Sequence, residues 1–196
     1  MFNCTSGPYA RSVAQDNTTT MICNPAKKMT ISELNQMTHD EFVRVVGPVF
    51  EDSPWIAEAA SARRPFSGPG KLRELLFDVV RNSGATKQLA LIRAHPDLVG
   101  RAALAGTLAP QSAGEQAAAG LSKLSTEEVK RFQDYNRAYK EKFGFPFVIC
   151  ARLNKKDAIL DGFEKRMNNS PGQEIKTALE EIFKIAALRL ADLISE

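Results

Sequence analysis

Residues 125–151 read STEEVKRFQDYNRAYKEKFGFPFVICA, and their order decides the fold class. Ser125 and Glu128 have the S-x-x-E spacing of a capping box, in which two side chains close free backbone N–H groups at a helix start. Neither proline nor glycine interrupts residues 126–143, and Gly144 stands where a helix ends in the left-handed conformation. The spacing predicts one long helix from Ser125 to Gly144. The run that follows, FPFVICA, is the one strand-like text in the chain, and a single strand makes no sheet. It is expected to be a buried connector inside an all-α fold.

Helix signals continue on both sides of this stretch. Thr38 and Glu41 form a second capping box ahead of Phe42, Val45 and Val46. Ser53 precedes Pro54, an N-cap with proline in the first helical position, leading into WIAEAASARR. From Gly70 onward Leu72, Leu75, Leu76, Val79 and Val80 recur at spacings of three and four. Further helices are expected at Ala85–Ala94, from the S-x-x-E of Ser112 and Glu115, over Lys155–Asn168 and over Gly172–Ser195. The expected architecture is an all-α single-domain bundle of about eight helices over residues 30–196. Residues 1–29 have neither helical nor strand period and are rich in Ser, Thr, Asn, Pro and Gly. They are expected to be a flexible N-terminal extension, with Met29 offering a second start.

Composition narrows the function classes. With 196 residues, 43% hydrophobic and 25% charged, the chain is long enough for its own core and unlike a disordered one. Its longest apolar run, Phe145–Ala151, is seven residues, against about 20 for a spanning helix. Cys4, Cys23 and Cys150 make no CxxC pair, and His39 and His95 have no cysteine nearby, so no metal site is expected. Of the net charge of +3, residues 1–29 supply +2, and the remainder shows no basic stripe that would point to nucleic acid. The first residues lack the apolar centre of a signal peptide, and the last three, Ile194-Ser195-Glu196, are no peroxisomal address. The expected compartment is the cytoplasm.

Three residues stand out chemically. His95 ends the apolar run LALIRA directly before Pro96, which disfavours helix at the residue ahead of it. There the negative end of the helix dipole favours imidazolium, which suits a general acid; the alternative is a ring that only caps its helix. Glu115 either completes a capping box with Ser112 or joins Gln111 and Gln116 in a polar group at a helix N-terminus, where anions bind. Arg189 lies on the apolar stripe of Ile175, Leu179, Ile182, Ala186, Leu190 and Leu193. A buried guanidinium needs a partner, either an internal carboxylate or an anionic ligand. Trp55 and Cys150 are expected in the core. No P-loop, GxGxxG or Ser-His-Asp pattern occurs.

The chain also carries FEDSPWIAEAA, RPF, RAHPDLVGRAALAG, LAPQSAGEQAAAG, YNRAYKEKFGFPFVICA and EIFKIAALRLADL in that order. Over Thr30–Glu196 it resembles the 2-oxo-4-hydroxy-4-carboxy-5-ureidoimidazoline (OHCU) decarboxylase family. The resemblance implies an all-α homodimer that acts on a small molecule, without nucleic acid or membrane. It would release CO2 from OHCU to give (S)-allantoin in urate breakdown, without cofactor or metal. It makes His95 the proton donor, Glu115 the catalytic carboxylate and Arg189 both catalytic and substrate-binding. It places Pro96, Ser112, Ala113, Gly114, Glu115 and Gln116 in the substrate site, with the backbone of Phe147, Val148, Ile149, Cys150 and Ala151 against the ring. Two other readings stand beside it: a helical module that binds a small anionic ureide without catalysis, and a lyase for a related ureido-imidazoline.

Overall fold

The computed structural model describes residues 28–195. These residues form ten α-helices: α1 Ile31–Gln36, α2 His39–Val46, α3 Pro54–Ser61, α4 Pro69–Arg81, α5 Ala85–Arg93, α6 Arg101–Leu104, α7 Pro110–Ala118, α8 Thr126–Phe143, α9 Lys156–Arg166 and α10 Pro171–Leu193. Two short 3₁₀ turns, Gly47–Val49 and Ala151–Leu153, complete the list. The all-α expectation holds. The two helices beyond the expected eight are α1, whose Thr30–Glu33 box resembles the one at Thr38, and α6, a single turn after Gly100.

The capping boxes at Thr38 and Ser125 are both formed, and Gly144 ends α8 at φ 76°. Its left-handed backbone turns the chain into residues 145–150, which have no regular structure and bury Phe145, Phe147, Val148 and Cys150. The connector runs between α8 and α9. The core gathers the apolar stripe of α10 with Leu72, Leu76 and Val80 of α4, Leu91 and Ile92 of α5, and an aromatic group of Phe132, Tyr139, Phe147 and Phe163.

Most of the expected N-terminal extension, residues 1–27, lies outside the described residues. Met29 is docked on the end of α10: its N–H donates to the Leu193 carbonyl at 2.8 Å, and its carbonyl accepts from Ser195 N–H at 2.9 Å, a parallel bridge with Ile194.

Candidate active site

Five separate stretches of sequence meet in one cleft. Glu51 comes from the turn before α3, where Asp52 takes a φ of 39°, a conformation that Asp tolerates. His95, Pro96 and Leu98 come from the loop after α5, Ser112, Glu115 and Gln116 from α7, Phe147–Ile149 and Ala151 from the connector, and Ile185 and Arg189 from α10. Gly114 faces a second cleft on the far side of the Glu115–Arg189 pair. Ala113 and Cys150 line neither. Cys150 is a buried core residue whose thiol burial pushes up, away from nucleophile chemistry.

Arg189, 6% exposed, organises the polar wall. Its Nε donates to Glu115 Oε1 at 2.8 Å and its Nη2 to Glu115 Oε2 at 2.7 Å, a two-point grip. Nη2 also donates to Glu51 Oε1 at 2.8 Å and to Ser112 Oγ at 3.2 Å. Ser112 in turn donates a hydrogen bond to Glu51. The partner of the buried guanidinium is therefore internal, a pair of carboxylates. Only Nη1 is weakly engaged, 3.4 Å from the Pro48 carbonyl. Burial weakens the Arg189 charge, yet the bonds and charges of Glu115 and Glu51 outweigh it and raise its proton affinity. Burial likewise lifts Glu51, but the hydrogen bonds from Ser112 and Arg189 leave its carboxyl below the usual range.

The Ser112–Glu115 capping box does not form. Pro110, suited by its fixed φ to the first helical position, starts α7 early, with Ala109 as N-cap. That moves Ser112 inside the helix and frees both side chains for Arg189. Sequence reasoning missed Glu51, Leu98 and Ile185 as lining residues. Glu51 stands in FEDSPWIAEAA, but nothing near it in sequence signals a partner in the last helix.

His95 also departs from expectation in its charge. Its Nδ1 lies 2.9 Å from the Leu91 carbonyl, which can only accept, so Nδ1 carries the hydrogen and the ring does bond its own helix end. Burial is the largest influence and lowers its proton affinity, despite the Leu91 bond and the charge of Glu51. Desolvation outweighs both, so the folded site favours the neutral imidazole, with Nε2 as the ring's acceptor.

The loop that carries His95 is tightly held. Val99 N–H donates to Gln116 Oε1 at 3.0 Å, Gln116 Nε2 reaches the Asp97 carbonyl at 3.4 Å, and Asn136 Nδ2 donates to the Leu98 carbonyl at 2.8 Å. These bonds fix the Gln116 amide with its NH2 as the group available to a ligand. Among the described residues no three or more His, Cys, Asp or Glu side chains are grouped to hold a metal ion.

The family model described as OHCU decarboxylase matches residues 35–191. The chain belongs to this family. A 2-oxo-4-hydroxy-4-carboxy-5-ureidoimidazoline decarboxylase of Haloferax volcanii is 40% identical over 168 residues, 86% of this chain and 98% of that one. Among solved structures, an OHCU decarboxylase in the presence of (S)-allantoin superposes with a TM-score of 0.62 at 28% identity, over 80% of this chain and 99% of that one. An (S)-allantoin synthase gives a TM-score of 0.69 at 27% identity. The match covers 85% of this chain and about half, 54%, of the synthase chain. The OHCU decarboxylase fold thus accounts for the helical body that builds the cleft.

Proposed function

We propose that this chain is a carbon–carbon lyase that converts OHCU to (S)-allantoin and CO2, with residues 30–196 as the working unit. The observation that carries the reading is the convergence of neutral His95, the Arg189–Glu115 pair, the Gln116 amide and the connector backbone on one cleft. A compact, polar ureide offers complementary groups to each of them.

The chemistry is carried largely by the substrate. The carbon that bears hydroxyl and carboxylate adjoins a C=N bond. When the bond to the carboxylate breaks, its electron pair forms a C=C bond and the C=N pair passes to nitrogen, which takes one proton from solvent. The enol that results becomes the ring ketone by losing its hydroxyl proton, while the ureido-bearing carbon gains a proton. A neutral His95 with a free Nε2 suits this exchange: it takes the proton from oxygen and returns it to carbon on one face, which sets the hand of the product. Arg189 Nη1 and the Gln116 NH2 hold substrate oxygens, and Glu115, fixed by Arg189, accepts from ureido or ring N–H groups. We also assign to the protein the family's homodimeric state and a cytoplasmic site of action. No described helix is long and apolar enough to cross a membrane.

The test is circular dichroism of the product formed from freshly generated OHCU, which also decays unaided without preferred hand. Fast formation of dextrorotatory (S)-allantoin is expected. His95→Ala should retain substrate affinity while turnover falls by about 10²–10⁴, the usual worth of a positioned acid or base. Racemic product at the background rate from the unaltered protein would overturn the reading in favour of a related ureide or a binding role.

A further inference from the structure

Glu174 is completely buried, yet it lies outside the cleft and takes no part in the chemistry above. Its carboxylate accepts from Tyr139 Oη and from Arg166, whose Nε lies 2.8 Å from Oε1, while Asn169 Nδ2 donates to Oε2 at 2.6 Å. An internal ion pair is a poor source of stability, because desolvation offsets most of its attraction. What distinguishes this one is the remaining arm of Arg166. Nη1 donates to the Val148 carbonyl at 2.7 Å, and the guanidinium lies over the Phe147 ring, 4.3 Å from its centroid. Arg166 thus grips the connector by backbone and by side chain.

A second grip follows two residues later, where Cys150 N–H donates to Glu181 Oε2 at 2.8 Å and the Cys150 carbonyl accepts from Asn154 Nδ2 at 2.9 Å. In an extended run, backbone groups of residues two apart face the same way. Val148 and Cys150 are tied on one side, so the N–H and C=O of Ile149 face the other. Both are without a hydrogen-bond partner among the described residues, and Ile149 lines the cleft.

We propose that Arg166, held in place by Glu174 and Tyr139, is a positioning residue that aims the Ile149 backbone N–H and C=O at the ureido or ring amide of the substrate. It rests on the reading of the cleft as the substrate site. An adjacent donor and acceptor on a fixed backbone match the N–H and C=O of a urea unit, and a misplacement of about 1 Å at such a contact costs on the order of 10² in rate.

The experiment compares Arg166→Lys and Tyr139→Phe with Asn169→Ser, each well below its own melting temperature. Arg166→Lys keeps the charge beside Glu174 but loses the fork. It should lower kcat/KM by about 10- to 100-fold, chiefly through a higher KM, shift the Ile149 amide signal in ¹H–¹⁵N spectra, and leave the pH profile of kcat unchanged. Tyr139→Phe should move both readouts the same way by less, and it decides the matter if the lysine variant does not fold. Asn169→Ser touches only the far oxygen of Glu174 and should change thermal stability but neither readout. A wild-type KM and an unmoved Ile149 amide in a destabilised Arg166→Lys or Tyr139→Phe would reduce the cluster to a structural role and overturn the proposal. Absence of turnover in the unaltered protein would fail the reading of function, while the Ile149 amide would still decide the clamp.

Discussion

Arg189 holds two carboxylates that would otherwise be buried without a counter-charge. Arg189→Ala leaves Glu51 and Glu115 facing one another across the gap. The expected loss is about 3–5 kcal/mol of stability, the cost of breaking a buried pair, measured by urea denaturation. Arg189→Lys keeps a cation but not the two-point grip on Glu115, so it should fold and lose activity through misplaced Glu115. A single variant to alanine would confuse these effects. His95 gives a pH signature of the opposite chemical type. Its folded proton affinity is below the free value of 6.5, so the unfolded chain binds more protons as pH falls below that value. The stability that neutral His95 contributes is fully present above pH 6.5 and is lost as pH falls toward the folded pKa. Denaturation midpoints across this window should decline more steeply in the wild type than in His95→Gln. Equal slopes would show that folding leaves the proton affinity of His95 at its free value.

At the scale of elements, the loop between α5 and α6 is the most constrained piece of the site. Val99 has a φ of 54°, a left-handed conformation that is costly for a β-branched residue and persists only when the surroundings impose it. Those surroundings are the Gln116 and Asn136 side chains, one on α7 and one on α8. Gly100 closes the turn so tightly that an added Cβ would stand 2.6 Å from the Cβ of Asp97. Gly100→Ala should therefore move the loop, lower the melting temperature by the equivalent of about 1–3 kcal/mol and reduce turnover along with it. Unaltered kinetics in this variant would mean that the position of His95 does not depend on the turn. The helix boundaries here were legible because caps, prolines and apolar spacing are local signals. The role of Gln116 was only half legible: its place beside Glu115 pointed to the site, but its bond to the Val99 backbone is a product of packing.

Across the whole molecule, legibility follows distance along the chain. The all-α class could be read from one helix and one connector, and Arg189 from its position on an apolar stripe. Glu51 could not, because its partners Ser112 and Arg189 come from other helices and its neighbours Phe50 and Asp52 give no sign of them. His95 was found by its place before Pro96, but its charge state depends on how deeply the folded chain buries it. Such properties arise when the elements meet, as does the Arg166–Glu174 pair behind the connector.

The bridge between Met29 and Ile194 makes the helical body topologically almost a closed ring. In a chain reduced to residues 28–195, a linker of about six glycine and serine residues would join Ser195 to Lys28 without tension, since each residue can span about 3.3 Å. The chain could then be opened elsewhere, for example in the exposed turn at Ser122-Lys123 between α7 and α8. Such a circular permutant is expected to melt cooperatively and to keep its cleft, because every residue that lines it remains on an unbroken segment. Loss of the folded state on permutation would show that the original order of synthesis, and not only the final contacts, is needed to bring the two ends together.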